Sequence, residues 1–219
     1  GGNGVAARML ADAGLSVTGT DVSPMFLREA GSWSRPGLGY AVCDGFELPF
    51  ADASFDIVCS NEYLEHVPDA EAALDEMARV TVAGGRLMVM GPNLCSPFLP
   101  LREGIQAIRG TQENLIWTVG PRDAWRQTLR NIRVIRDKKR RDEPQFLHRS
   151  PDLEDQIIGG DADSAYLATP ADIETYFRRA GWDVVALAAG GSWKGRLIAS
   201  TMPRFAPYLS VVAERPRLA

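Results

Sequence analysis

The first twenty-one residues, GGNGVAARMLADAGLSVTGTD, combine a glycine turn with a later acid, and this combination can hold a nucleotide-type cofactor. Gly2 and Gly4 can adopt positive φ and leave no side chain between backbone and ligand. The helix predicted after them presents free N–H groups at its start. The β-branched run 16–20 predicts a strand that leads to Asp21. A carboxylate at the end of that strand can accept hydrogen bonds from both hydroxyls of a ribose.

A second acid follows a later predicted strand. The segment CDGFELPFADASFDIVCSNEYLEHVPD places Asp44 after one strand, then an LPF turn, then the strand FDIVCS and the start of a helix. Asp44 can also be a turn acid in an Asp-Gly pair, and Asp21 can be the helix cap of the DVSP segment. Both carboxylates therefore have a structural interpretation beside the cofactor-binding one.

Glu62, Glu65 and His66 form an ExxEH pattern at the entry to a predicted helix. Residues four apart on a helix can face the same way, and carboxylates with a neutral imidazole suit Mg²⁺, Mn²⁺ or Zn²⁺. The alternative, which we favour, is a structural LEHV turn with His66 near the cofactor pocket, so a divalent metal is possible but not expected. His148, the only other histidine, could supply a ligand or a base.

The elements that must position these residues alternate between helix and strand, which is typical of a parallel sheet covered on both faces. The predicted helices span 5–13, 24–31, 69–80 and a stretch starting after Thr169. The predicted strands span 16–20, 39–43, 55–60, 85–90, 182–187 and 208–214. Asp69 and Thr169 are the expected caps of two of these helices.

Residues 94–166 break this alternation and look like an insertion. The segment carries a basic run at 130–141, followed by an acidic stretch at 152–163. The basic run could bind a phosphate or lie on a membrane surface, but a solvated helix face paired with the nearby acids is the interpretation we favour. Tyr166, Asp161 and Asp163 come just before the last predicted helix.

Composition limits the class of protein. With 219 residues and 45% hydrophobic content, the chain is long enough for one α/β domain. A net charge of −4 argues against a general nucleic-acid binder. Cys43 and Cys59 lie in apolar strand-like runs as expected core residues, and the three cysteines favour a reducing cytoplasm. No apolar run approaches the ~20 residues that cross a bilayer.

The chain begins inside its glycine turn, with no strand before it. A parallel sheet built around such a turn needs that strand, so we expect the sequence to be an N-terminally truncated piece of a longer protein. Nothing in the composition specifies an oligomeric state.

Taken together, the glycine turn, Asp21, Asp44 and the LPF, FDIVCS and EHVPD segments resemble the class I S-adenosylmethionine-dependent methyltransferases, especially the group that contains ubiquinone-type O-methyltransferases. The resemblance covers residues 1–93 closely and 167–219 loosely. It implies a doubly wound, mostly parallel Rossmann-like sheet that binds the cofactor, with an antiparallel last strand. The N-terminal strand would be missing, and 94–166 would form an inserted cap that shapes the acceptor pocket. The resemblance also makes Tyr166, Asp161 and Asp163 candidates for a substrate-facing loop.

The resemblance also implies a cofactor site along the carboxyl ends of the strands. Residues that would face the methionine part of S-adenosylmethionine are Gly2, Gly4, Ser60 and Asn61. Residues that would hold its ribose and adenine are Asp21, Val22, Asp44, Gly45 and Phe46, the last two through their backbone.

The implied reaction moves a methyl group to a small-molecule acceptor, for which we favour a hydroxyl oxygen. A hydroxyl acceptor must lose a proton, and His66 or His148 would be the base. Two other classes stay open at this point. A nicotinamide-dependent oxidoreductase would share the turn and Asp21 but should show GxGxxG and a Tyr-x-x-x-Lys set, and a non-catalytic cofactor-binding or scaffolding protein would share the whole site.

Overall fold

The structure is a computed structural model that describes residues 2–110, 120–148, 166–167, 169–188, 197–198 and 200–217. Its α-helices are α1 (Val5–Asp12), α2 (Pro24–Gly31), α3 (Ala70–Val80), α4 (Phe98–Arg109), α5 (Pro121–Lys139) and α6 (Pro170–Arg179). Its strands are β1 (Val17–Asp21), β2 (Leu38–Val42), β3 (Phe55–Asn61), β4 (Thr81–Pro92), β5 (Leu147–His148), β6 (Tyr166–Leu167), β7 (Asp183–Ala188) and β8 (Tyr208–Glu214). Short 3-10 helices span Leu64–His66 and Pro203–Phe205.

The described strands form three sheets. Strands β1 and β2 pair in parallel, and a four-stranded sheet has the order β3-β4-β8-β7. Strands β3 and β4 are parallel, whereas β8 runs antiparallel to both β4 and β7. The α/β class and the antiparallel last strand are therefore confirmed. Among the described residues β1 pairs only with β2, and β3 only with β4, so the parallel strands are divided between two sheets. The missing first strand stays a prediction.

Two side-chain caps define where helices α3 and α6 begin. The Asp69 carboxylate accepts the N–H of Ala72 at 3.0 Å and begins α3. Thr169 and Asp172 form a reciprocal capping box that begins α6. Both predicted caps are confirmed. Behind them, apolar side chains of both helices pack against β4 and β8 in one core cluster, including Leu74, Met77, Leu87, Val89, Ile173, Phe177 and Val211.

The prediction that Cys43 and Cys59 are core residues was wrong for Cys59, which is exposed, and only partly right for Cys43, which is half-buried. Cys95, for which no position was predicted, is buried. Cys59 lies on β3, which pairs along one edge only among the described strands, so an apolar run there does not guarantee burial. None of the described helices is long and apolar enough to cross a membrane.

The segment after β4 contributes a pair of packed helices, which composition did not predict. Helix α5 buries a stripe at i, i+4 and i+7 spacing that ends at Lys138. The Lys138 ammonium donates to the carboxylate of Asp172 at 2.5 Å and to the carbonyl of Gln145 at 2.6 Å. The prediction of a solvated basic face is thus wrong for Lys138, because its side chain points towards α6 rather than into water.

Replacing Lys138 by methionine should lower the free energy of unfolding by about 3–5 kcal/mol, because the Asp172 carboxylate would stay buried without its cation. Urea denaturation followed by circular dichroism measures this change. Lys139→Met is the matched control, since Lys139 is the exposed neighbour on the same helix, and it should cost less than about 0.5 kcal/mol. Equal losses in the free energy of unfolding for the two variants would show that the buried ion pair does not stabilise the fold.

Candidate active site

The carboxyl ends of β1 and β3, together with the turn after β2, carry the acids and amides predicted from the sequence. Asp21 is the last residue of β1, Asp44 follows β2 by two positions, and Asn61 ends β3. Ligands of open α/β sheets bind beyond such strand ends.

Asp21 connects the glycine turn to the end of β1. Its Oδ2 accepts the N–H of Gly2 at 2.7 Å, and its Oδ1 accepts the N–H of Ser23 at 2.8 Å. Partial burial raises the pKa of this carboxyl, whereas the backbone hydrogen bonds from Ser23 and Gly2 and the charge of the N-terminal amine lower it, so that the pKa lies below its ordinary value. Each carboxylate oxygen has a second lone pair, so this ionised group can also accept hydrogen bonds from two ribose hydroxyls.

The two glycines of the turn have different environments. Gly4 has φ +79°, and a Cβ there would lie 2.7 Å from the Cβ of Ala30 and 2.8 Å from the Tyr40 ring. Packing therefore requires a glycine at position 4, whatever binds. Gly2 has φ +53°, and nothing lies within 4 Å of the place where its Cβ would be. Gly2 is the glycine of this pair whose backbone faces open space, as a cofactor contact requires.

Asp44 belongs to a tight turn at the end of β2. Its Oδ1 accepts the N–H of Phe46 at 3.0 Å, and no described protein group donates to its Oδ2. The Phe46 side chain packs against the hydrophobic core, which leaves only the backbone of Gly45 and Phe46 to flank a ligand. Asp44 therefore does stabilise the turn, and its second carboxylate oxygen can accept a hydrogen bond from an amino group of a ligand.

Tyr63 is a residue that the sequence reasoning missed. Its hydroxyl lies only 2.0 Å from the place where a Cβ of Gly45 would be, so the phenol covers this turn and brings the ends of β2 and β3 together. The hydroxyl is buried and has no hydrogen-bond partner among the described residues. Burial and the negative charge of Asp44 raise the pKa of Tyr63 to about 12, so the group stays protonated at neutral pH.

These features fit the cofactor that the resemblance implies. An unsatisfied buried hydroxyl is costly unless a ligand or water completes it. Here the hydroxyl covers Gly45, the residue after Asp44, and the open backbone of Gly2 lies next to the ionised Asp21. Polar groups spaced along strand ends in this way suit a ligand with an aromatic amine, a ribose and an amino-acid part.

Ser60 and Asn61, at the end of β3, have different surroundings. The Ser60 hydroxyl is buried without a partner among the described residues, whereas Asn61 is exposed. The hydroxyl of Tyr208, at the start of β8, donates to Oδ1 of Asn61 at 2.5 Å. Burial, followed by the charges of Glu62 and Glu65, raises the pKa of Tyr208 to about 12, which keeps it a donor. The bond turns the amide so that its NH₂ group is left for a ligand.

The ExxEH segment does not form the α-helical face that a metal site would need. Glu62 has φ +48°, and Leu64–His66 is a 3-10 helix. Within the described part of the chain no group of three His, Cys, Asp or Glu side chains could hold a metal ion. Glu65 is buried against Gly91, with its Oε1 lying 3.8 Å from Nε2 of the exposed His66. The arrangement suits a carboxylate that orients an imidazole.

The remaining candidates are less well placed by the structure. The His148 backbone pairs with Tyr166 between β5 and β6, and β6 lies beside the 3-10 helix of His66, but the side chains of His148 and Tyr166 lie outside the description. Val22 is exposed next to Asp21. Asp161 and Asp163 also lie outside the described residues.

The first part of the chain matches a known protein family. Residues 1–89 match the family model described as "Methyltransferase domain". A demethylmenaquinone methyltransferase from Beutenbergia cavernae is 44% identical over 88 residues, which cover 40% of this chain and 36% of that protein. A 2-methyl-6-phytyl-1,4-hydroquinone methyltransferase from Synechocystis is 40% identical over 91 residues, which cover 40% of this chain and 29% of that protein. The match therefore spans only 29–36% of the length of these relatives.

A solved structure shares the fold over almost the whole chain. It is an S-adenosylmethionine dependent methyltransferase from Mesorhizobium loti, with a TM-score of 0.57 and 16% sequence identity, and the alignment covers 98% of this chain and 87% of that one. Residues 1–89 therefore form a methyltransferase domain of the class I S-adenosylmethionine-dependent type, and the chain shares its fold with a solved methyltransferase. The predicted cofactor is confirmed as that of the family, and the nicotinamide-dependent class finds no support.

Replacing Tyr208 by phenylalanine should weaken binding of S-adenosylhomocysteine about two- to tenfold, because Asn61 loses the bond that orients its amide. Calorimetric titration measures the affinity. In an Asn61→Ala background the same replacement should have no further effect, which a double-mutant cycle resolves. Tyr176→Phe is the control, because its hydroxyl donates to Asp75 away from the strand ends. Additive effects of Tyr208 and Asn61 would contradict the orienting role.

Proposed function

We propose that the chain transfers a methyl group from S-adenosylmethionine to a hydroxyl oxygen of a small-molecule acceptor. The observation that carries the proposal is the row of ligand-ready polar groups at the strand ends of a methyltransferase domain, above all Asp21 with its lowered pKa and the unsatisfied hydroxyl of Tyr63. When bound, the cofactor supplies an electrophilic methyl group on a sulfonium.

Each strand end would hold one part of the cofactor. Asp21 accepts from the ribose hydroxyls, while Asp44 and Tyr63 bond the adenine. Gly2, Ser60 and Asn61 face the methionine part. Gly4 contributes through packing, since it lets α1 approach Ala30 and Tyr40 and so fixes the turn.

The protein's chemical contribution at the acceptor is proton removal and orientation. We assign the base to His66, which is exposed beside the buried carboxylate of Glu65. The imidazole accepts the proton that the acceptor hydroxyl releases, and the carboxylate 3.8 Å away stabilises the resulting positive charge. His148 is the second candidate, because its strand β5 pairs with β6, which lies beside the turn of His66.

The acceptor is the less constrained part of the proposal. The relatives named above act on demethylmenaquinone and on a phytyl hydroquinone according to their names, so quinol-type acceptors are the first to test. The matched family model ends at residue 89, before α4, α5 and the β5–β6 pair. Resemblance thus supports the cofactor more strongly than the acceptor. We propose that residues 94–166 shape the acceptor pocket and that 1–93 with 167–219 bind the cofactor.

Asp21→Ala should weaken S-adenosylhomocysteine binding at least about tenfold, because two charge-assisted hydrogen bonds to the ribose are lost. In the unchanged protein the affinity should stay constant down to about pH 5, because a lowered pKa keeps Asp21 ionised through that range. Calorimetry at several pH values measures both effects. Asp56→Ala, at an exposed carboxylate on β3, should leave binding unchanged. Unaltered affinity of the Asp21 variant would leave this residue with its backbone role only.

His66→Gln should lower the rate of methyl transfer to a hydroxyl acceptor about 10²–10⁴-fold while cofactor binding persists. Transfer of a labelled methyl group to a panel of hydroquinones and phenols measures the rate. His148→Gln is the parallel variant, and a larger loss there would move the base to His148. A well-folded protein that binds S-adenosylhomocysteine but methylates none of the panel would favour the non-catalytic alternative. A product methylated on a ring carbon would show that the acceptor atom is carbon and not the hydroxyl oxygen.

A further inference from the structure

Helices α4 and α5 expose apolar side chains on stripes that no described element covers. On each helix the exposed residues follow i, i+4 and i+7 spacing, so they form one stripe. On α4 all three are exposed, and on α5 two are exposed and one is half-buried. We name the two stripes together the apolar band, and its members are Leu101, Ile105, Ile108, Trp125, Leu129 and Ile132.

Both stripes lie on the same side of the helix pair. The helices are antiparallel, because Gly104 lies against Ala124 while Thr128, further along α5, bonds the carbonyl of Pro97 before α4. Each stripe includes the residue directly after the contact residue, Ile105 and Trp125, which is about 100° further round its helix. For antiparallel helices that face each other, equal rotations lead to the same side, so the two stripes are continuous.

Rows of arginine border the apolar band on its outer edges. These side chains are exposed, and none of them makes an ion pair within the described parts of the chain. Four of them directly follow an apolar residue of the band along the helix, so they lie further from the seam between the helices. Arg122 and Arg136 instead project within about 20° of Leu129, among the apolar residues of α5. The row on α4 is Arg102 and Arg109, and the row on α5 is Arg122, Arg126, Arg133 and Arg136.

The charge of this surface differs from that of the protein. Helices α4 and α5 contain nine basic and three acidic residues, whereas the whole chain has a net charge of −4. The band therefore combines exposed apolar area with a concentrated positive charge. A partner for it must be apolar at its centre and negatively charged around it.

We propose that the apolar band binds the surface of an anionic lipid bilayer. Apolar side chains such as Ile108, which is 72% exposed, would enter the boundary between headgroups and acyl chains. Trp125, 60% exposed, belongs to the residue type that concentrates at this interface. The long arginine stems lie along the apolar layer while their guanidinium groups bond lipid phosphates.

A second copy of the chain fits this surface less well. A two-fold contact would bury apolar band against apolar band but would set unpaired arginine rows close to one another. Like charges at an interface oppose association, whereas lipid phosphates satisfy the same guanidinium groups. The proposal does not depend on methyl transfer, since none of the residues in the band or its rows belongs to the candidate active site.

Cosedimentation of the chain with lipid vesicles tests the proposal. Vesicles of phosphatidylcholine containing about one third phosphatidylglycerol should bind the protein, and pure phosphatidylcholine vesicles should bind it much less, because each arginine near an anionic surface adds to the attraction. The double variants Ile105→Ser with Ile108→Ser, and Arg126→Gln with Arg133→Gln, should each weaken partitioning about tenfold or more. All four positions are exposed, so these variants should unfold at the unchanged temperature.

Matched controls change the same chemistry elsewhere. Met9→Ser with Val185→Ser removes two exposed apolar side chains, and Arg28→Gln with Arg178→Gln removes two exposed charges. Both controls should keep wild-type partitioning. The proposal is overturned if the unchanged protein ignores anionic vesicles, binds neutral vesicles equally well, or loses binding equally in the controls. Self-association that disappears in the isoleucine variant, with no vesicle binding, would assign the band to a second copy instead.

Discussion

One carboxylate, that of Asp21, fixes the geometry on which the cofactor end of the molecule depends. It accepts the backbone N–H of Gly2 on one oxygen and that of Ser23 on the other. The first bond ties the glycine turn to the end of β1, and the second starts the chain into α2. Because both donors are backbone groups, the carboxylate is held ionised in one orientation, which is the state that a ribose would meet.

Two tyrosines extend this order to the other strand ends. Tyr63 reaches from the end of β3 over Gly45 after β2, and Tyr208 reaches from β8 to Asn61 at the end of β3. Burial is the first cause of the raised pKa at both hydroxyls, so both stay protonated at neutral pH. Tyr208 donates to Asn61, whereas the hydroxyl of Tyr63 has no acceptor among the described residues. The site is thus built from local turns whose relative positions are set by phenols of distant segments.

How far the sequence could predict this depends on how far apart the interacting residues are. Asp21, Asp44 and the caps Asp69 and Thr169 were predictable, because their partners lie within a few residues or in a recurrent motif. Tyr208 was not, because its partner Asn61 is 147 positions away. Lys138 was misplaced for the same reason: only the tertiary contact with Asp172 distinguishes it from the exposed cations beside it. For Cys59 the error was in the other direction: a core position was predicted, but the residue is exposed because β3 lies at the edge of the described sheet.

Charge averaged over the chain conceals the most polarised part of the molecule. A net charge of −4 arises although α4 and α5 together are strongly positive, so the remaining segments carry a larger acidic excess than the total suggests. A negatively charged surface would attract the face formed by α4 and α5 and repel the acidic remainder of the protein. Such a surface would therefore orient the protein as well as bind it. The oriented face follows β4 directly in the chain, and α5 also packs against α6 through the buried Lys138 pair. The apolar band itself lies within residues 94–166, the segment proposed to shape the acceptor pocket, so a surface that binds the band would contact this segment directly.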